Sequence, residues 1–295
     1  MTAEPGAPGT GPLPGSAGGA GGPGTPGGAG VVRLASFNLL HGMVLQTGAA
    51  GSPEPLRTAA GALDADVVAL QEVDAGQPRS GGTDQTAEVA AAAGLAHWHF
   101  EATVTGTPGE RWAAAVPTAP GGPAPTGQRY GIGLVSRYPM SDLRVLSLGR
   151  ARAKFPLLLP NGRLTLLSDE PRTAIAARLD TPIGPLTVAC THLSFVPGWN
   201  VGQLVKLTRW LDRMPGPRVL LGDLNMPALL TRAARGWRAL AVVPTYPAPK
   251  ARIQFDHVLA SGDLGATVGT VTARRLAVSD HTTLEVTLER SPAAG

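Results

Sequence analysis

Eight residues able to handle protons, metal ions or phosphate stand beside apolar runs along this chain. Asn38 closes "VVRLASFN", Glu72 closes "DVVALQE" and His192 closes "LTVACTH". Asp223 and Asn225 follow "RVLLG", Asp256 opens "DHVLA", and Asp280 with His281 precede "TTLEVTL". A single such placement is explained by a turn. "LLGDLNM" (220–226), taken alone, reads as a turn because Gly, Asp and Asn all favour one. Repetition along the chain points instead to a site held at the ends of rigid strands. Carboxylates with an amide suit a hard, oxygen-preferring ion such as Mg²⁺ or Mn²⁺, which also binds substrate phosphate. The histidines can donate hydrogen bonds to phosphate oxygens. They are too dispersed for a zinc site, Cys190 is the only cysteine, and no HEXXH motif occurs.

The segments "SFNLLHG", "LQEVD", "YGIGLVSRYP", "THL", "LLGDLN", "FDHVLAS" and "VSDHTTLEV" follow one another in an order that resembles the endonuclease/exonuclease/phosphatase superfamily. The resemblance spans about residues 31 to 289. It rests on the ordered set, since "GDLN" or "SDH" alone is weak. It implies an α/β (α+β) fold, a four-layer α-β-β-α sandwich of two packed, mainly antiparallel sheets with outer helices. The site would lie at one edge of the sheets. It also implies roles: Glu72 as the main metal carboxylate, with Asn38 supporting the metal site, Asp280 helping the metal site or His281, and Asp223 orienting or deprotonating the attacking water. Asn225 would bind the transferring phosphoryl group, while His192 and His281 would bind phosphate and Asp256 would orient His281. Arg172, in "EPRTAIAARL", falls where some members place a phosphate contact.

These residues need elements to carry them. "VVRLASFNLL" and "DVVALQEVD" read as strands, the second buried. "EPLRTAAGALDA" reads as a short helix, and "TDQTAEVAAAAGL" (83–95) as a helix with a threonine cap and Gly94 near its end. Strand-like runs follow in series at "AHWHFEATV", "RYGIGLVSRYP", "LRVLSL", "RTAIAARLD" and "PLTVACTHL". "NVGQLVKLTRWLDRM" is an amphipathic helix with Val201, Leu204, Leu207 and Leu211 on one face. Strands dominate and helices come at intervals, which suggests packed sheets with outer helices rather than a doubly wound nucleotide fold. Residues 105–127, rich in Gly and Pro, read as a long loop. With the segment 150–170, which carries Arg150, Arg152, Lys154 and Arg163, that loop is expected to set specificity.

The chain has 295 residues, 43% hydrophobic and 16% charged, with 39 glycines and 28 prolines. Residues 1–30 are almost wholly Gly, Pro and Ala and are expected to be a disordered tail, leaving a hydrolase domain at 31–290. The tail lacks the basic and apolar regions of a secretory signal, and no run is long enough to span a membrane. One cysteine fits a reducing compartment, so a cytoplasmic location is expected. The formal net charge of +4 permits phosphate-bearing partners without arguing for nucleic acid, because the arginines are scattered. No protein partner is inferable.

Several chemistry-capable residues have bland readings. Cys190 is expected to be a core residue, and His97 and His99 surface or structural groups. His257 should face away from Asp256. His41 could line the pocket. In "QPRSGGTDQ", Arg79 could contact substrate phosphate, and Asp84 could support a helix start. The expected function is a divalent-metal-dependent phosphoester hydrolase, chiefly of phosphodiesters, using a metal- and Asp-activated water. Nuclease action on DNA or RNA is slightly preferred over a phospholipid or small-molecule phosphoesterase. A non-catalytic binding module on the same fold is the remaining alternative.

Overall fold

A computed structural model describes residues 30–45, 47–48, 51–116, 126–152, 154–158 and 164–291. Residues 1–29 of the expected tail and Arg163 lie outside the described residues. The strands are β1 (Val31–Asn38), β2 (Val67–Ala75), β3 (His97–Gly106), β4 (Trp112–Ala114), β5 (Arg129–Ser136), β6 (Met140–Gly149), β7 (Phe155–Leu158) and β8 (Leu164–Leu167). They continue with β9 (Arg172–Thr181), β10 (Gly184–His192), β11 (Arg218–Asp223), β12 (Arg238–Ala239), β13 (Asp256–Ser261), β14 (Ala266–Arg274) and β15 (Thr283–Arg290). The α-helices are α1 (Glu54–Gly61), α2 (Gln85–Ala92) and α3 (Trp199–Leu211).

One sheet runs β14-β15-β1-β2-β5-β3-β4 and the other β12-β13-β11-β10-β9-β6, with β7-β8 a separate hairpin. Side chains alternate across each strand, so residues of one parity meet the opposite sheet. Leu34, Val67 and Leu134 of the first sheet thus pack with Val188, Leu221 and Val258 of the second. The other parity packs outward. Phe37, Val68 and Leu70 meet Leu56 of α1 and Val89 of α2, while Ala189 and Leu220 meet Leu204, Leu207 and Leu211 of α3. Three apolar layers therefore separate helix, sheet, sheet and helix, which is the expected sandwich. Among the described residues no helix is long and apolar enough to cross a membrane.

The pairing register is what builds the site. Each sheet contains a parallel pair, β1 with β2 and β10 with β11, and the other pairs are antiparallel. The parallel pairs end together: Asn38 lies opposite Gln71 beside Glu72, and His192 lies opposite Asp223. Antiparallel β13 then sets Asp256 opposite Asp223.

Two local expectations are corrected. Helix α2 is capped by Asp84, not by a threonine: its Oδ1 accepts from the amides of Thr86 (2.9 Å) and Ala87 (3.3 Å). This also settles Asp84 as the support of a helix start. The stretch 105–127 is not simply a loop, because Trp112–Ala114 pairs with Val104–Gly106 as a short hairpin. Residues 117–125 of it lie outside the described residues.

Candidate active site

Glu72 owes its position to a bulge. Opposite β5, Leu70 pairs with Gly133 and Val73 with Gly131, so Gln71 and Glu72 together face one residue. The extra residue breaks the ladder and re-aims the chain. Glu72 takes φ 55°, a left-handed conformation costly for a residue with a Cβ. Its carboxylate, half-buried, looks into a cleft instead of along the sheet.

Asn38 joins the two sheets. Its Nδ2 donates to Glu72 Oε1 and to Asp223 Oδ2, each at 3.0 Å. Its Oδ1 accepts from the Leu40 amide at 3.0 Å. The oxygen is thus turned to backbone and the amino group to the carboxylates, so Asn38 fixes the distance between two acids from opposite sheets.

Asp223 is the hub. Its Oδ1 accepts from the Asn225 amide at 2.8 Å, and its Oδ2 lies 3.6 Å from His192 Nε2 and 3.8 Å from His281 Nε2. Gly222 lets β11 run this close to β10, since a Cβ there would fall onto the Thr191 carbonyl oxygen. Asn225 follows at φ 50°, a conformation Asn tolerates better than most residues. Burial lifts the Asp223 carboxyl; the His281 charge opposes and Asp256 adds to the rise, and the group settles near 6.

The two histidines are held differently. His281 Nδ1 donates to Asp256 Oδ2 at 2.8 Å. Burial alone would depress this imidazole, but the charge and hydrogen bond of Asp256, with Asp223 and Asp280 beyond, carry it up to about 10. It is therefore a cation at neutral pH. His192 faces Arg172 instead, with Nη1 donating to its Nδ1 at 3.1 Å. Arginine has no acceptor, so Nδ1 keeps its lone pair and the ring proton sits on Nε2. Burial, then the charges of Arg172 and His281, hold His192 well below its ordinary range. It is a neutral donor.

One consequence concerns Asn225. Its Nδ2 donates to the Leu193 carbonyl at 3.0 Å and sits 3.1 Å from His192 Nε2. Two N–H donors then stand side by side with no acceptor between them. An anionic oxygen satisfies such a pair.

Arg172 itself is 5% exposed, behind His192, with Asp169 Oδ1 at 3.6 Å and Glu170 Oε2 at 3.9 Å from its Nη2. It addresses His192 and is almost wholly covered. Arg79 does reach the cleft, but Nε and Nη2 form a two-point pair with buried Asp74 at 2.8 and 2.7 Å. His41 lines the cleft too, and burial, aided by Arg79, pulls it down to about 4.

Burial raises Glu72 to about 7; the Asn38 hydrogen bond opposes, and the nearby charge of Asp280 adds to the rise. Crowded carboxylates that resist ionisation are a set a divalent cation would neutralise, and oxygen donors match a hard ion. Asp223, Asp256 and His281 also bring donor atoms within 4.8 Å of one another. In that trio the Asp256–His281 contact is already satisfied by a proton, and Asp280 lies near enough to act on Glu72 through its charge.

Tyr246 is a neighbour the sequence does not announce. Its ring lies 4.9 Å from that of His281 and stacks on Phe255 at 5.3 Å. Thr245 beside it accepts the Asp256 amide through Oγ1 at 3.1 Å. Of the bland readings, Cys190 is fully buried, with its thiol pushed up to about 12 by burial. His257 is buried on the opposite face from Asp256 and donates through Nε2 to the Met226 carbonyl at 2.9 Å. His99 pairs with Glu101 at 3.3 Å.

Comparison with known proteins agrees with this arrangement. No curated protein sequence matches the chain. Among solved structures, an endonuclease/exonuclease/phosphatase from Beutenbergia cavernae is similar at 23% identity and TM-score 0.65, over 90% of this chain and 72% of that one. A humanised D. rerio TDP2 is similar at 13% identity and TM-score 0.55, over 88% of this chain and 99% of that one. A Bacteroides thetaiotaomicron mannosyl-6-phosphatase is similar at 15% identity and TM-score 0.54, over 87% and 99%. These likenesses establish the fold. The model of the Endonuclease/Exonuclease/phosphatase family matches residues 35–281, and the chain belongs to that family, whose members are hydrolases of phosphoester bonds.

Proposed function

We propose that this protein is a divalent-metal-dependent phosphodiester hydrolase with Asp223 as its general base. The observation that carries this reading is the convergence on one carboxylate of a cationic histidine, a neutral histidine and two amides. Phosphodiester hydrolysis needs an activated water and neutralisation of charge on the phosphoryl oxygens. Asp223, poised near 6, accepts the proton of the attacking water at neutral pH. His281, charged, and the paired N–H groups of His192 and Asn225 hold the oxygens. Asp256 keeps His281 protonated and oriented, and Arg172 keeps the His192 proton on Nε2.

Glu72 and Asp280 would hold Mg²⁺ or Mn²⁺, with Asn38 fixing Glu72 rather than ligating. Such an ion supplies charge neutralisation at the phosphate and the leaving oxygen. The test is hydrolysis of bis(p-nitrophenyl) phosphate with Mg²⁺ or Mn²⁺ by wild type and Asp223→Asn. Metal-dependent turnover that falls roughly a thousand-fold or more in the variant is expected. Equal rates in both proteins would rule out Asp223 as the base.

A further inference from the structure

The cleft beside Glu72 has a second wall that the chemistry above does not use. It encloses about 420 Å³ and runs from Glu72, His41 and Arg79 across to Trp112, Tyr130, Phe195 and Leu167. Phe195 stands three residues beyond His192 in sequence, and Glu72 is common to the cleft and the site. Trp112 comes from the β3–β4 hairpin and Leu167 from the β7–β8 hairpin. The wall is braced from behind: Phe155 of β7 meets Phe195 edge-on at 6.4 Å, and the Arg150 guanidinium lies 5.3 Å from the Trp112 ring centre. Tyr130 is buried, with the Arg79 guanidinium 5.7 Å from its ring centre, so Trp112 and Phe195 supply most of the aromatic surface of the cleft, among polar neighbours that include Glu110, Ser168 and Glu170.

We infer that this wall is a subsite for a single flat ring group on the substrate, so that the preferred substrate is a phosphodiester bearing one nucleoside or aryl group. The inference rests on the proposed function and narrows it. Aromatic side chains stack on any π-face without reading an edge, so the wall selects flatness rather than base identity. The charge of the cleft disfavours a longer polyanion: the carboxylates of Glu72, Glu110 and Glu170 line it against the guanidinium of Arg79, and repel a run of further phosphates.

The test uses p-nitrophenyl phosphodiesters that share a leaving group and differ in the other ester: thymidine 5′-, phenyl, decyl and methyl. With Mn²⁺, the wild type should prefer thymidine and phenyl esters to methyl, and the decyl ester should gain little. Trp112→Ala should cut the thymidine-to-methyl ratio of kcat/KM roughly ten-fold or more, mainly through KM, and Trp112→Phe should restore most of it. Phe195→Ala should act in the same direction, which guards against a local distortion of the short β4 strand. A thymidine preference without a phenyl preference would assign the wall to a nucleoside, and the converse to an aryl group. A decyl preference, or a ratio unchanged in both alanine variants, would overturn the inference while leaving the hydrolase reading intact. Absence of metal-dependent hydrolysis of every ester would overturn the hydrolase reading, and this inference with it.

Discussion

At the scale of single residues, the surroundings give two histidines different charge states, one cationic and one neutral. His281 has a carboxylate on Nδ1 and His192 has a guanidinium. Asp256→Asn removes the charge that overcomes burial at His281, so the oxygens lose their cationic donor. Steady-state kinetics on bis(p-nitrophenyl) phosphate should show kcat reduced roughly a hundred-fold or more with a modest change in KM. A loss confined to KM would mean that His281 only binds. Cys190 offers a control away from the chemistry. It is fully buried and its thiol is raised to about 12, so it should not react with a chromogenic disulfide at pH 8 until urea unfolds the chain. The residue types at the strand ends were readable in sequence, but their orientations were not. Nothing in "EPRTAIAARL" says that Arg172 turns to His192 rather than to substrate. Nothing in "SFNLL" says which end of the Asn38 amide meets the acids. Tyr246 reaches His281 through a segment without regular structure, so no periodicity could have placed it.

At the scale of elements, legibility followed how local the stabilising contacts are. Helix α3 was visible because Leu204, Leu207 and Leu211 recur at helical spacing and all pack on the second sheet. The strands were visible as apolar runs. Strand β4 was not, because three residues amid Gly and Pro carry no pattern and form a strand only by pairing with Val104–Gly106. The bulge at Glu72 was equally hidden, since one extra residue in a ladder is defined by the partner strand. Gly222 lies between these cases: its type was readable, its reason was not. A Cβ at 222 meets backbone of the neighbouring strand, which cannot move aside as a side chain would. Gly222→Ala should therefore cost about 1–3 kcal/mol in urea unfolding and also displace Asp223. A stable variant with full activity would show that β10 and β11 separate easily at their ends.

At the scale of the whole molecule, the two sheets pack through an apolar layer and are linked at the site through buried groups that prefer particular charge states, so folding stability should report them. Adding Mg²⁺ should raise the melting temperature of the wild type, because a ligand of the folded state alone stabilises by mass action, and Glu72→Gln should abolish the rise. The core imposes an acid limit. His257 is buried, with its Nε2–H committed to the Met226 carbonyl. Burial lowers its pKa below the ordinary 6.5, and the contributions of Met226, Asp256 and the Gln254 backbone do not reverse this. The sign follows: above about 6.5 the ring is neutral in both states and stability is unaffected. Below it the unfolded chain takes up a proton that the folded chain refuses, so stability falls as pH drops, by about 1.4 kcal/mol per pH unit for one histidine. Urea titrations at pH 7.5, 6 and 5 should show this decline. In His257→Gln, which keeps a donor for Met226, the slope should be shallower by roughly one proton. An unchanged slope would place the acid sensitivity in His192 and His41 instead.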